Sequence, residues 1–356
     1  MRLRIWTFDL PLKHTFRIAR GSVSIQSTLI VEMEHQGVCG YGEATTSRYY
    51  HQTIEGMAKL IRSVSPQIEK LVPNLDDCEW PAQIWQELDQ FLHSSRFAQC
   101  AVDEAIWDLF GKLRRQPLIA MWKGDVARVP VSDYTIGIDS IDVMREKLRE
   151  FGDWPIFKIK LGAENDAEIL RAMRSETRAT LRIDANCGWS PQSATELIPV
   201  CIECGVEFVE QPFAATELEA MRELKSWSPL PLVADESCVM EVDVDRCVNY
   251  FHGVNIKLMK CGGLTPARRM ISNARNLGMS VMLGCMTESS VGISALAQVA
   301  AFADAIDMDG AVLLAKDIVN GVRVEQGKAI YPETAGSGGL PIAGFLELGG
   351  RELTHI

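Results

Sequence analysis

Apolar and polar positions change rhythm near residue 128. Ahead of it, residues 28–34 (Thr-Leu-Ile-Val-Glu-Met-Glu) predict a strand, and a turn follows at Gln36-Gly37. A second short strand ends in Gly40-Tyr41-Gly42-Glu43-Ala44. Residues 54–71 and 98–113 place apolar side chains at helical spacing, so this part predicts an α+β domain, bounded at 1–125. Beyond it, short β-rich runs recur at 129–136, 156–160, 180–183, 206–210, 231–234, 253–258, 280–283 and 306–309. Most are separated by a stretch long enough for a helix, as over 166–175, 190–204 and 266–277. Alternating strands and helices imply parallel strands joined by crossovers, and eight such units imply a closed (β/α)8, TIM-like barrel over 126–324. An open doubly wound sheet is the competing architecture, but no GxGxxG opens the first helix. The fold class is therefore α/β, a barrel with an N-terminal α+β capping domain. Residues 325–356, rich in Gly and Pro, are expected to pack back on that cap and complete it.

Composition narrows the function. A chain of 356 residues suits a barrel plus a smaller domain, and 47% hydrophobic with 23% charged residues argues against extensive disorder. The net charge of −11 argues against a nucleic-acid partner, which needs clustered Lys and Arg. No apolar run is long enough to span a bilayer, and Met1-Arg2-Leu3-Arg4-Ile5-Trp6 lacks the apolar core of a signal peptide. Ten scattered cysteines then predict a reduced, cytoplasmic thiol population. Cys201 and Cys204 form one CxxC with no second pair at zinc spacing, and read as two half-buried thiols on a helix.

The chemistry lies where the expected strands end, the catalytic face of such a barrel. Those ends read Lys158-Ile159-Lys160, Asp184-Ala185-Asn186, Glu210-Gln211-Pro212, Asp235-Glu236-Ser237, Asn255-Ile256-Lys257-Leu258 and Asp307-Met308-Asp309. A lone acid at a strand end is most often a solvated carboxylate or a helix cap. Asp184, Glu210 and Asp235, one βα unit apart, converge instead, and would repel unless a hard cation such as Mg²⁺ neutralised them. Lys158 and Lys160 are alternate residues of one strand and project to the same face, into the barrel, where charge is costly without a purpose. Their proximity, beside a metal, is expected to depress a lysine pKa and fit it for general-base work. Lys257 would approach bound substrate from the opposite side. Two bases on opposite faces of one carbon are what inversion of that centre needs.

These motifs together resemble the muconate-lactonising subgroup of the enolase superfamily, and the similarity extends to Tyr41-Gly42-Glu43-Ala44, covering nearly the whole chain. The resemblance implies an enolase-type barrel, Mg²⁺ on Asp184, Glu210 and Asp235, and proton transfer α to a carboxylate between Lys160 and Lys257. It also implies that Lys158 hydrogen-bonds the substrate carboxylate and lowers the pKa of Lys160. Within the subgroup, an Asp-x-Asp at the eighth strand end marks the dipeptide epimerases, which invert the α-carbon of the C-terminal residue. Asp307 and Asp309, pointing the same way as alternate strand residues, would clamp the substrate's α-ammonium. Muconate cycloisomerase and o-succinylbenzoate synthase/N-acylamino acid racemase are the alternative readings on this scaffold. The first two handle substrates with no such cation, so an acidic pair would not suit them.

The same similarity places Thr135, in Ser132-Asp133-Tyr134-Thr135, and Cys285, in Met282-Leu283-Gly284-Cys285-Met286, beside substrate. In the cap, residues 16–23 and 47–51 are expected to choose the side chain. Relatives acting on L-Ala-D/L-Glu use an arginine in the first segment, a place Arg20 or Arg17 could fill, but Val23 stands where some of them have Arg. The expected partner is a small-molecule dipeptide, with no nucleic acid or membrane, and homo-oligomers are common among such barrels.

Overall fold

In the computed structural model, residues 1–341 and 350–353 are described. The cap opens with an antiparallel sheet of β1 (Arg2–Ile18), β2 (Gly21–His35) and β3 (Val38–Thr45). In β1 the alternation of Trp6, Phe8, Leu10 and Leu12 with Thr7, Asp9, Pro11 and Lys13 buries one face, as a period of two demands. That face packs on Ile30 and Tyr41 of the sheet and on Val291, Leu314 and Ile318 from the barrel side. Helices α1 (Ile54–Ile68), α2 (Trp80–Leu92) and α3 (Arg96–Leu113) cover the other face. β1 and α2 go beyond the elements expected from the sequence.

Helix α3 is the centre of the cap. It is buried from Phe97 to Gly111, acids included, so each acid needs a partner. Asp108 accepts the N–H of Tyr41 at 2.9 Å and Lys112 Nζ at 2.6 Å. Glu104 accepts the N–H of Glu43 at 3.0 Å. Contact between α3 and β3 is close because two glycines face the helix: a Cβ at Gly40 would lie 2.3 Å from Leu109 N, and one at Gly42 2.1 Å from Ala101 O.

Eight parallel strands follow: β4 (Tyr134–Ile136), β5 (Ile156–Lys160), β6 (Thr180–Asp184), β7 (Val206–Glu210), β8 (Leu232–Ala234), β9 (Gly253–Lys257), β10 (Ser280–Gly284) and β11 (Ala305–Asp307). They hydrogen-bond in chain order, and a parallel bridge between Ser132 and Ile306 brings the first and last strands together. This is the expected barrel, with its apolar residues between strands and outer helices. Four strands are shorter than the β-rich runs suggested, and two of them leave their runs by more than one residue at an end. The run 129–136 is strand only from Tyr134, after a 3-10 turn at Val126–Arg128. The run 306–309 leaves the ladder after Asp307, because β10 ends opposite it at Gly284. Met308 N–H then donates to Ser132 Oγ at 2.9 Å.

The chain returns to the cap after the barrel. Ser337 N–H donates to Asp108 at 2.8 Å, and Leu118 N–H to Gly336 O at 2.9 Å. A short strand, Arg351–Glu352, pairs with β1 at Thr7 and Trp6. The remainder of the expected C-terminal packing, at 342–349 and 354–356, lies outside the described residues.

Candidate active site

Strand register builds the site. Lys160, Asp184 and Glu210 are paired across β5, β6 and β7, and Lys257, Gly284 and Asp307 across β9, β10 and β11. Gly284 is required in the second row: a Cβ there would meet Asn255 Oδ1 at 2.6 Å and Lys257 Cε at 3.0 Å. Asp235 follows β8 directly. One carboxylate oxygen from each of Asp184, Glu210 and Asp235 lies within 4.8 Å of the others, and all three residues are buried. Three hard oxygens from three strands, converging at the open end of a barrel, fit a hard divalent cation such as Mg²⁺.

Each expected lysine reaches this centre. Lys160 Nζ donates to Asp184 Oδ2 at 2.6 Å, and Lys257 Nζ to Asp235 Oδ2 at 2.9 Å. Lys158 Nζ lies 2.7 Å from Glu210 Oε2 and 3.5 Å from Asp184 Oδ2, and donates to Asp307 Oδ2 at 2.8 Å. Lys260, which strand-end reasoning missed, is also buried there. It holds Asp235 by both main chain and side chain, and donates to Cys238 O at 2.9 Å and Asn255 O at 3.1 Å. It sits in the helical turn Leu258–Cys261 that follows β9. Its sequence signal is a second lysine one helical turn beyond Lys257. Asn255 Nδ2 supports the centre by donating to Glu210 Oε1 at 2.6 Å.

Burial and close opposite charges set the proton affinities. Burial disfavours the charge on Lys158, but Asp307, Glu210, Asp184 and Asp133 together hold its pKa well above the ordinary lysine value. Lys257 is likewise raised against burial, by Asp235 and Glu210. For both ammonium groups the facing carboxylates outweigh burial. Burial also opposes ionisation of Asp184 and Asp235, yet Lys160 and Lys158 lower the first, and Lys257 and Lys260 hold the second well below its usual range. Glu210 differs: burial and the charge of Asp184 push it up to about 7.

Beside this centre, one ligand atom from each of Cys285, Asp307 and Asp309 lies within 4.8 Å of the others. Asp309 stands beyond the end of β11 and is not an alternate strand residue, yet it turns back to the same point. Its Oδ2 accepts the N–H of Thr135 at 2.6 Å. Against burial, Lys158 and Lys160 pull Asp307 down to about 2, whereas burial and the charges of Asp307 and Asp133 push Asp309 well above the usual carboxylate range. Asp307 Oδ1 is buried with no hydrogen-bond partner, an acceptor open to a cationic donor.

Arg20 reaches the rim of the site from the turn between β1 and β2. It forms an ion pair with Glu236, donates to Asn186 O at 2.9 Å, and lies 4.2 Å from the centroid of the Tyr49 ring. Arg17 contributes its carbonyl, which accepts Ile138 N–H at 2.8 Å, and Val23 is 40% exposed.

Known proteins resemble this chain in sequence and fold. Residues 3–122 match the N-terminal domain of the mandelate racemase/muconate lactonizing enzyme family, and residues 141–339 match the enolase C-terminal domain-like family. An L-Ala-D/L-amino acid epimerase of a Maribacter species is 47% identical over 339 residues, 95% of this chain and 98% of that one. A protein of the same name from Flavobacterium johnsoniae is 45% identical, over 95% and 99% of the two chains. The crystal structure of a dipeptide epimerase from Cytophaga hutchinsonii, complexed with Mg and D-Ala-L-Val, superposes with a TM-score of 0.91 at 26% identity, covering 99% of this chain and 98% of that one. Two family domains that together span most of the chain, and full-length similarity to these relatives, place it in the mandelate racemase/muconate lactonizing family of the enolase superfamily.

Proposed function

We propose that the protein is a Mg²⁺-dependent dipeptide epimerase that inverts the α-carbon of the C-terminal residue by proton transfer between two lysines. The observation that carries this is the placement of Lys160 and Lys257 on separate carboxylates of one centre, Asp184 and Asp235, from strands four places apart in the barrel. A substrate carboxylate over that centre has its α-carbon between them. The sequence relatives named as epimerases of L-Ala-D/L-amino acid dipeptides support the substrate class.

Asp184, Glu210 and Asp235 would hold the ion, which supplies positive charge against the substrate carboxylate and so eases loss of the α-proton. Lys158, buried and charged, hydrogen-bonds that carboxylate. One of Lys160 and Lys257 takes the α-proton, and the other returns a proton to the opposite face. A base must be neutral when it acts, and the carboxylates now hold Lys257 protonated. Cationic charge on those same carboxylates weakens that hold, bringing the ammonium nearer to working pH. Asp307 and Asp309 receive the α-ammonium at the far end of the dipeptide, while Thr135 and Cys285 line the space between.

In this scheme residues 1–125 cap the site, 126–324 carry it, and 325–356 tie barrel to cap. Among the described residues no helix is long and apolar enough to cross a membrane. Ten free cysteines support a reduced, cytoplasmic setting, and assembly into a homo-oligomer is part of the proposal.

The test is deuterium uptake from D₂O by a library of L,L-dipeptides with Mg²⁺, read by mass spectrometry. Uptake at the C-terminal α-carbon is expected, together with formation of the L,D product. Uptake by muconate- or succinylbenzoate-type substrates alone would overturn the assignment.

A further inference from the structure

The tip of the β1–β2 hairpin is seated on the barrel by a built contact. Ala19 packs between two glycines of the catalytic face: a Cβ at Gly162 would lie 2.8 Å from the Ala19 methyl, and one at Gly188 3.3 Å from it. One strand earlier in the barrel, after β4, Gly137 leaves room for the backbone of Arg17, whose carbonyl accepts Ile138 N–H at 2.8 Å. Arg20 then closes the contact on Glu236, the neighbour of Asp235, and on the carbonyl of Asn186. The Glu236 side chain is 1% exposed and the Arg20 side chain 28%. Tyr49 covers the guanidinium from the second cap segment.

We propose that Arg20 is a latch that holds the cap hairpin on the barrel, and that its engagement with Glu236 makes this site select dipeptides whose C-terminal residue has an uncharged side chain. The substrate half of this inference rests on the epimerase function proposed above. An arginine aimed at the site from this hairpin reads at first as a receptor for an acidic side chain. Here its charge is already matched by a carboxylate of the protein. An acidic substrate would have to take the guanidinium from Glu236 and leave that buried carboxylate without its cation, a loss that offsets the new ion pair. Glu236 Oε2 has no hydrogen-bond partner, and the other cation acting on this carboxylate, Lys257, is already paired with Asp235. An uncharged side chain asks for no such exchange and leaves the latch shut.

The experiment compares kcat/KM for L-Ala-L-Leu and L-Ala-L-Glu in the wild type, Arg20→Met, Arg20→Lys and Glu236→Gln, each with saturating Mg²⁺. The wild type is expected to prefer L-Ala-L-Leu. Arg20→Met is expected to lower both dipeptides by the same factor, and Arg20→Lys to recover part of both. Glu236→Gln frees the guanidinium and is expected to shift the ratio toward L-Ala-L-Glu by about tenfold, the size of one charge-assisted hydrogen bond. A loss confined to L-Ala-L-Glu in Arg20→Met, or an unchanged ratio in Glu236→Gln, would overturn the proposal. Amide hydrogen exchange over residues 16–23 reads the latch without turnover: faster exchange in Arg20→Met supports it, and unchanged exchange refutes it. If the wild type exchanges the α-proton of neither dipeptide, the epimerase assignment fails, while the latch is still judged by the amides.

Discussion

Lys158 Nζ lies 2.8 Å from Asp307 Oδ2, an ion pair across the barrel interior that joins the cation centre to the second acidic cluster. Both side chains are almost entirely buried. The same ammonium is 2.7 Å from Glu210 Oε2. Deleting it leaves carboxylates facing one another in a medium of low polarity, with one cation fewer among them. Lys158→Met is expected to lower unfolding free energy by about 3 kcal/mol in the presence of a chelator. Mg²⁺ should restore more stability to this variant than to the wild type, because it supplies the missing charge. Urea denaturation with EDTA or Mg²⁺ checks this. Equal Mg²⁺ stabilisation of both proteins would show that Lys158 is not a counter-charge to the metal acids.

Lys160 and Lys257 pair with different carboxylates, so removing one need not disturb the other. Lys160→Ala and Lys257→Ala are each expected to reduce epimerisation by at least about 10²-fold, as loss of a general acid–base group does. Each should still bind Mg²⁺ by calorimetry. Each should also retain α-proton exchange in D₂O with only one of the two diastereomers, and the favoured diastereomer should differ between them. Exchange lost for both diastereomers in one variant would leave that lysine with a role other than the base for a single face.

Sequence alone exposed the barrel because its signal is repeated: eight β-rich runs at near-equal spacing, most of them ending in polar residues. Asp184, Glu210 and Asp235 were legible for the same reason, since strand period and unit length fix where such side chains meet. The cap was less legible. β1 alternates Trp6, Phe8, Leu10 and Leu12 with polar residues, but Pro11 interrupts it and its later half is mostly exposed. Asp309 shows a different limit. Period two placed it beside Asp307 on a strand, whereas the strand ends and the loop returns it to the same point by a hydrogen bond to Thr135. Lys260 leaves only a faint signal, its place one helical turn beyond Lys257, whereas the Arg20–Glu236 pair depends on how a hairpin docks, which no local pattern encodes.

Gly42 and Gly205 should respond differently to alanine. A methyl group at Gly42 would lie 2.1 Å from Ala101 O and 2.7 Å from Ala105 N, both backbone atoms of α3. Helix and strand would have to separate, and overpacking of this kind costs about 3 kcal/mol. Gly205 has a φ of +65° and nothing within 4 Å of its would-be Cβ. Its alanine variant bears only the left-handed backbone cost, about 1 kcal/mol. Thermal or urea unfolding of the two variants would separate packing from backbone strain, and similar losses would contradict the tight α3–β3 approach.

Stability should also depend on pH through a buried acid away from the catalytic centre. Asp103, on α3, accepts Thr265 N–H at 2.9 Å and Thr265 Oγ at 2.7 Å, joining cap to barrel. Burial pushes its pKa up from 3.8 to about 7, although those hydrogen bonds and the charge of Arg269 pull it down. Between these two values the folded chain keeps a proton that the unfolded chain has released. The Asp103 contribution therefore favours folding most at low pH and declines as pH rises toward 7, by at most about 1.4 kcal/mol per pH unit. Asp103→Asn removes this titration and also one acceptor, so it should be less stable than the wild type overall. The informative quantity is the difference between the two proteins: from about pH 5 to about pH 7 the wild type's advantage should shrink, and then level off. Denaturation series across that range test it. A constant difference would mean that Asp103 is ionised throughout and that its hydrogen bonds to Thr265 outweigh burial.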